Sequence, residues 1–432
     1  MTSPRIIVSG ATTAITRRTT LRKAFLGPWD PLVQQCWLYA LADAQRHTEV
    51  AIHHGILVVN HEHLIVTPSY DNLPEFVRRA HRDMSCAINT LLAQHRYDAP
   101  RELFDGRAPH YQRLCDDASQ AVRLLYDHAN CVAAGLVERP EHMPDYTFHF
   151  DLWRKGYLDV HRPAVYFGDN ERARPEVIRM AVTPPPLLFE AFEGDLERLI
   201  YHLQRLREES IKKARTRRLK PALGARALRR LHPWSEPRSL RERGGQRVPT
   251  FSIGTRGPLA REENIRAATE VRSFRATHRH VRIERRNGND QRRYPFGSYA
   301  VRVVHGTPVE AHAHPDAIVS KPGPLLCDVQ ARVRERRKEP PLRSFDLLTE
   351  VRASFEDDAK FQVHDDGMEF AREEVAPPSG RAVLTRHRFD PDDPLPQESG
   401  ATAPARRLVI LRDRRMGRPP RASSRHGADP PR

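Results

Sequence analysis

The chain has 432 residues and a formal net charge of +16, from 71 Lys and Arg against 55 Asp and Glu. Hydrophobic residues make up 39% and there are 36 prolines, which predicts one packed domain plus long stretches that pack poorly. No apolar run approaches the ~20 residues of a membrane-spanning helix, the N-terminus lacks a signal-peptide core, and the cysteines at 36, 86, 115, 131 and 327 contain no Cys-x-x-Cys pair. The composition thus argues against a membrane protein, a zinc ribbon and a disulfide framework, and the expected setting is the cytoplasm. An excess of positive charge favours a polyanionic partner; the plain alternative is a solvated basic tail with no specific partner.

In chain order, Ile6-Ile7-Val8 and Thr12 to Thr20 predict a first strand with its lead-in. From Trp29 to about Ala44, apolar residues at Leu32, Val33, Cys36, Trp37, Tyr39, Ala40 and Leu41 suit an amphipathic helix. Val50 to Val66 reads as a two-stranded hairpin bending near Asn60. Asn72-Leu73-Pro74-Glu75 is a helix start, with a cap, an early proline and an acid three residues on. His110 to Leu114 is a candidate fourth strand. Ala118 to Ala134 reads as the next helix, stopped by Gly135. Strand, helix, hairpin, helix, strand, helix is the order of a small α+β domain: an antiparallel sheet with helices on one face.

Residues 1–150 carry this pattern. Residues 151–250 form a helical, strongly basic extension, with a long helix expected over 187–218 because Leu196, Leu199, Ile200, Leu203 and Leu206 share a face. Between Arg205 and Arg247 there are 15 Lys and Arg against 4 Asp and Glu. Such a stretch is either a solvated arm or a contact to phosphates. Residues 251–376 give weak signals, a strand at Tyr299 to Val304 and a short helix at Phe345 to Phe355. Residues 377–432, rich in Pro and Arg, read as a disordered tail.

Two short signals carry chemistry. In Asn60-His61-Glu62-His63-Leu64-Ile65-Val66, alternation along a strand puts His61 and His63 on one face, where two neutral imidazoles can reach one cation. A lone His-x-His is weak evidence; a second pair, His312 and His314, lies in a Pro-flanked segment without strand patterning and reads as incidental. The other signal is Tyr126-Asp127-His128-Ala129-Asn130-Cys131-Val132-Ala133-Ala134-Gly135-Leu136-Val137. Tyr126 and Asn130, four apart on a helix, stand one above the other. Two imidazoles and an amide with waters suit Mg²⁺ or Mn²⁺. A tyrosine hydroxyl beside such a cation is placed to attack phosphorus.

Together these motifs resemble the single-tyrosine HUH transposases of the insertion sequence 200-like, REP-associated type. That family has Asn-His-hydrophobic-His-Leu-hydrophobic-Val on its metal-binding strand and Tyr-Ile-x-x-Asn-Pro-Val-Arg-Ala-Gly-Leu-Val on its tyrosine helix, often followed by Pro, an acid and Tyr, as in Pro144-Asp145-Tyr146 here. The resemblance covers residues 1–150. It implies a ferredoxin-like fold, Tyr126 as nucleophile, and His61, His63 and Asn130 as metal ligands. It also implies nicking of single-stranded DNA near a hairpin through a 5′-phosphotyrosine, with a free 3′-hydroxyl that can transfer the strand. A dimer would supply two tyrosines for paired exchange.

Two departures bear on activity. Glu62 stands where the family has a large apolar residue, and a buried unpaired carboxylate is costly. Cys131 and Ala133 replace a proline and an arginine. For strand binding, Arg78, Arg79, Arg82 and Arg123 are candidates to follow the DNA backbone and His110 or Tyr111 to stack a base, although each also fits plain surface. The alternatives to a strand-transfer enzyme are a DNA-binding protein with a decayed site and a basic RNA-binding protein indifferent to Tyr126, His61 and His63.

Overall fold

A computed structural model describes residues 4–144, 148–168, 174–237, 249–255 and 257–312. The first elements are β1 (Thr13–Arg18), α1 (Leu32–Thr48), β2 (Ala51–Val58), β3 (His61–Thr67), α2 (Leu73–Gln94), β4 (His110–Leu114) and α3 (Asp117–Ala133). β1, β2, β3 and β4 form an antiparallel sheet in the spatial order β2-β3-β1-β4. This is the expected α+β, ferredoxin-like sheet, with α1 and α2 packed together on one face of it. The expectation of helices on one face holds for these two, whereas α3 lies on the other face, against His63.

Alternation along β3 divides the two faces. Glu62, Leu64 and Val66 point toward α1 and α2, while His61 and His63 point toward α3, which covers the second face. Gly55 in β2 shows why the strand tolerates a glycine: a Cβ there would meet the Trp37 ring at 3.1 Å and Leu64 at 3.2 Å. The indole lies against the bare backbone.

α3 begins with a capping box. The Asp116 carboxylate accepts from the Ser119 N–H at 2.8 Å, while Ser119 Oγ accepts from the Asp116 N–H. Asp116 also accepts from the N–H groups of Gly254 and Thr255 and from the Thr255 hydroxyl, at 2.6 to 3.0 Å. Those two residues follow a short fifth strand, β7 (Phe251–Ser252), which joins β4 in parallel. Gly254 lies so close to α3 that a Cβ would meet the Ser119 nitrogen at 2.4 Å. Gly135, at φ +70°, ends the helix as expected.

The core continues past residue 150. A two-stranded sheet of β5 (Tyr157–His161) and β6 (Val177–Ala181) packs against α1, and the short α4 (Leu152–Lys155) contacts β5. Phe148, Phe150, Trp153, Ile178 and Met180 are buried in one cluster with Trp37, Leu41 and Ile52. The Trp153 indole donates to the His53 carbonyl at 2.9 Å. The long helix expected over 187–218 is two helices, α5 (Pro186–Ala191) and α6 (Leu196–Arg217). Glu193 and Gly194 have positive φ between them, and the Asp195 carboxylate caps α6. The predicted stripe on α6 is buried at Leu199, Ile200, Leu203 and Leu206, and the helix packs against α3. Part of the basic stretch is ion-paired: Arg218 and Arg215 reach Glu138, and Glu208 pairs with Arg139 at 2.9 Å.

The described chain continues through α7 (Ala225–Arg229) to α8 (Pro258–Arg286). α8 lies where the sequence signals are weak. Its buried side chains, Ala260, Ala267, Val271, Phe274 and Val281, are thinly spaced among arginines. The strand expected at Tyr299 to Val304 is a short helix, α9 (Tyr299–Val303); Val303 and Val304 stay exposed, and among the described residues this β-branched run joins no sheet. Phe345 to Phe355, residues 377–432, His314, Asp145 and Tyr146 fall outside the described residues. His312 is exposed. Among the described residues, no helix is long and apolar enough to cross a membrane.

Candidate active site on the α3 face

β3 and α3 bring His61, His63, Tyr126 and Asn130 together, all four predicted from sequence. The His61 and His63 rings lie edge to face with centroids 4.6 Å apart, and the Tyr126 ring lies 6.1 Å from His63. The Asn130 amide nitrogen is 3.4 Å from His63 Nε2 and 3.5 Å from the Tyr126 hydroxyl. His61, His63 and Asn130 are 5%, 3% and 3% exposed, whereas Tyr126 is half-buried. The nucleophile candidate is the member that solvent, and hence a strand, can reach.

Both imidazoles are neutral near pH 7. Burial pulls the His61 pKa down to about 3, helped by Arg18, Arg123 and Arg22. Burial, then the neighbouring His61 and Arg123, hold His63 well below its ordinary value. A ring that resists protonation keeps a lone pair for a cation.

Which nitrogen carries that lone pair depends on neighbours that the sequence reading did not assign. Asn60 Oδ1 lies 3.0 Å from His61 Nδ1, and the Asn60 amide donates to the Arg22 carbonyl at 2.9 Å. Oδ1 can only accept, so Nδ1 carries the proton and His61 Nε2 is left with the lone pair. His63 Nδ1 has two partners, Thr16 Oγ1 at 2.9 Å and Arg123 Nη2 at 2.7 Å. A guanidinium and an amide N–H both only donate, and a neutral ring accepts at one nitrogen. The shorter Arg123 contact makes Nδ1 the acceptor and places the His63 proton on Nε2, so the 3.4 Å approach of the Asn130 amide nitrogen is not then a hydrogen bond. Thr16 can reverse this by accepting from Nδ1–H. Asp127 then holds Arg123, whose Nε is already 3.1 Å from Asp127 Oδ2.

The residues fit a divalent cation in donor type. Asn130 Oδ1 is buried without a hydrogen-bond partner, so its lone pairs are available to a cation. His61 Nε2 is free of a proton, and His63 needs one tautomeric shift. Among the described residues no group of three or more His, Cys, Asp or Glu is placed to hold a metal, so an amide must complete this set.

Arg123, a candidate strand contact by sequence, is only 4% exposed and is engaged with His63, Thr16 and Asp127. Its place is beneath the site. Arg78, Arg79 and Arg82 are on α2, which packs on the other face of the sheet, and the first two pair with Glu75. The structure does not bring these three to Tyr126. His110, at the start of β4, donates from Nε2 to the Pro249 carbonyl at 2.9 Å, and the Arg5 guanidinium covers the Tyr111 ring at 4.5 Å.

Glu62 is paired. Its carboxylate accepts from the Trp37 indole N–H at 2.7 Å and contacts His81 Nε2. Both partners belong to the α1 and α2 layer, so this carboxylate is a satisfied core group on the face away from Tyr126.

No family model matches the chain, and no curated protein matches it. Among solved structures, a REP-associated tyrosine transposase bound to a REP hairpin is similar to this chain, at 18% identity and a TM-score of 0.30. The match covers 39% of this chain and 92% of that one.

Proposed function

We propose that this protein cuts single-stranded DNA near a hairpin and transfers the strand, with Tyr126 as nucleophile. The observation that carries the reading is the convergence, across the sheet–helix interface, of a half-buried tyrosine with two neutral imidazoles and an orphaned amide oxygen. A plain structural role would leave Tyr126 and Asn130 unrelated to His61 and His63.

In the proposed reaction the Tyr126 oxygen attacks a backbone phosphorus. The new P–O(Tyr) bond forms as the bond to the 3′-oxygen breaks. The phenol gives up its proton to solvent, and the leaving oxygen takes one up as a 3′-hydroxyl. Attack by a 3′-hydroxyl on the phosphotyrosine reverses the step or joins another strand. His61 Nε2, His63 Nε2 and Asn130 Oδ1 would hold Mg²⁺ or Mn²⁺, which when bound supplies charge stabilisation to a phosphate oxygen. Asn60 and Thr16 set the ring tautomers, and Asp127 holds Arg123.

The test is cleavage of 5′-labelled single-stranded hairpin DNA with Mg²⁺ or Mn²⁺ and with a chelator. The expected product is a shortened labelled strand ending in a 3′-hydroxyl, formed only with metal. Hairpin binding without any product would overturn the enzyme reading and favour a DNA-binding protein on the same fold.

A further inference from the structure

A second cavity lies on the other face of the sheet, with a largely apolar wall (Ile6, Val8, Leu73 and Phe274 among others) into which arginines are set. The N-terminal segment, β1, β4 and α8 enclose a cavity of about 30 Å³ whose wall includes Arg5, Tyr111, Arg113 and Arg275 with Thr13 and Thr250. In register, Arg113 is opposite Thr13 and Tyr111 opposite Ile15. These side chains therefore point away from Thr16, His63 and Tyr126.

Three guanidiniums in one small wall are costly unless something offsets them. Arg113 is 6% exposed, and its Nη1 is buried without a partner. The Nε of Arg275 is buried and unpartnered too. Among the described residues, none of the three arginines is seen in a salt bridge with a carboxylate; the charges near Arg113 are Glu270 on α8, which favours its charged form, and Arg275, which opposes it. Burial lowers the pKa of Arg113 and of Arg5, the sign of positive charge held out of water. A cavity needs only about 10–15 Å³ to hold a water, so this one takes more than a single water. Arg5 and Arg275 are partly exposed and link it to solvent. The Thr13 hydroxyl is spent on the Ala11 carbonyl at 3.1 Å, so the donors left for an anion are the planar N–H forks of the arginines, which match the oxygens of a phosphate.

We propose that this cavity is a phosphate-binding site, with Arg113 at its base and Arg5 and Arg275 at its edge. The site is independent of the reading of Tyr126. The phosphate comes either from a nucleic-acid backbone or from the free anion.

The experiment is calorimetric titration of the full chain with inorganic phosphate, run beside chloride at equal ionic strength. Phosphate is expected to bind saturably at one site. Arg113→Met should abolish this, and Arg5→Gln and Arg275→Gln should each weaken it at least about tenfold. The two edge variants decide the matter if Arg113→Met does not fold. Displacement of phosphate by an unphosphorylated single-stranded oligonucleotide identifies the backbone as the source; failure to displace identifies the free anion. Indistinguishable heats from phosphate and chloride, or unchanged phosphate affinity in both edge variants, would overturn the site.

Discussion

The two faces of β3 carry opposite solutions to the same problem, a polar side chain held out of water. Toward α1 and α2, Glu62 has every need met by Trp37 and His81. Toward α3, His63 is crowded by Arg123 and Thr16 at one nitrogen and Asn130 at the other, and Asn130 Oδ1 goes without a partner. A satisfied buried group stabilises a fold, whereas unsatisfied groups converging beside a reachable hydroxyl mark a place where a ligand completes the structure. On the proposed function, adjacent residues of one strand divide between architecture and chemistry.

The sharpest way to break this contrast is to remove one residue from each face. His63→Ala should lower cleavage by about three orders of magnitude, as loss of a core catalytic group does, and leave hairpin binding within a few-fold. Its thermal midpoint should stay near that of the wild type. Cleavage by His63→Ala equal to wild type with Mg²⁺ would remove the metal assignment. Glu62→Ala should do the reverse. It strands the Trp37 N–H and His81 in the core, at about 1–3 kcal/mol for each orphan. A clear fall in the urea midpoint is expected, with cleavage per folded molecule little changed. A midpoint like the wild type would show that the pairing contributes nothing.

A smaller effect sharpens the comparison through pH. Burial pushes His53 down to about 4 and His54 to about 3; the His54 ring lies 4.7 Å from that of His128 on α3. Both pKa values are below the unfolded value of about 6.5, so the unfolded chain binds more protons between pH 6.5 and 4. Stability should fall as pH drops through that window, by about 2 kcal/mol per ring at pH 5. Denaturant midpoints at pH 7.5 and 5.0 measure it; equal midpoints would mean these rings are not held neutral.

Much of this was legible in the sequence, for identifiable reasons. Strand alternation placed His61 and His63 together, and the four-residue helical spacing stacked Tyr126 with Asn130. The order of elements through β4 follows from periodicity, caps and Gly135. What could not be read depended on long-range pairing. Glu62 looked like a defect because its partners, Trp37 and His81, come from two separate helices. Arg123 looked like surface because nothing local announces that Asp127 and His63 enclose it. Asn60 stood in the quoted motif, yet its role in orienting the next residue's ring emerged only from the turn geometry. α8 escaped because five buried side chains spread over a long arginine-rich helix leave a weak period.

The central claim is that Tyr126 forms a covalent bond to DNA. The direct measurement uses 3′-labelled single-stranded hairpin DNA with Mg²⁺ or Mn²⁺ and a denaturing gel, comparing wild type with Tyr126→Phe. A metal-dependent labelled protein band that Tyr126→Phe lacks is the predicted result. A band of equal intensity from Tyr126→Phe, or none from wild type that binds the hairpin, would contradict the account.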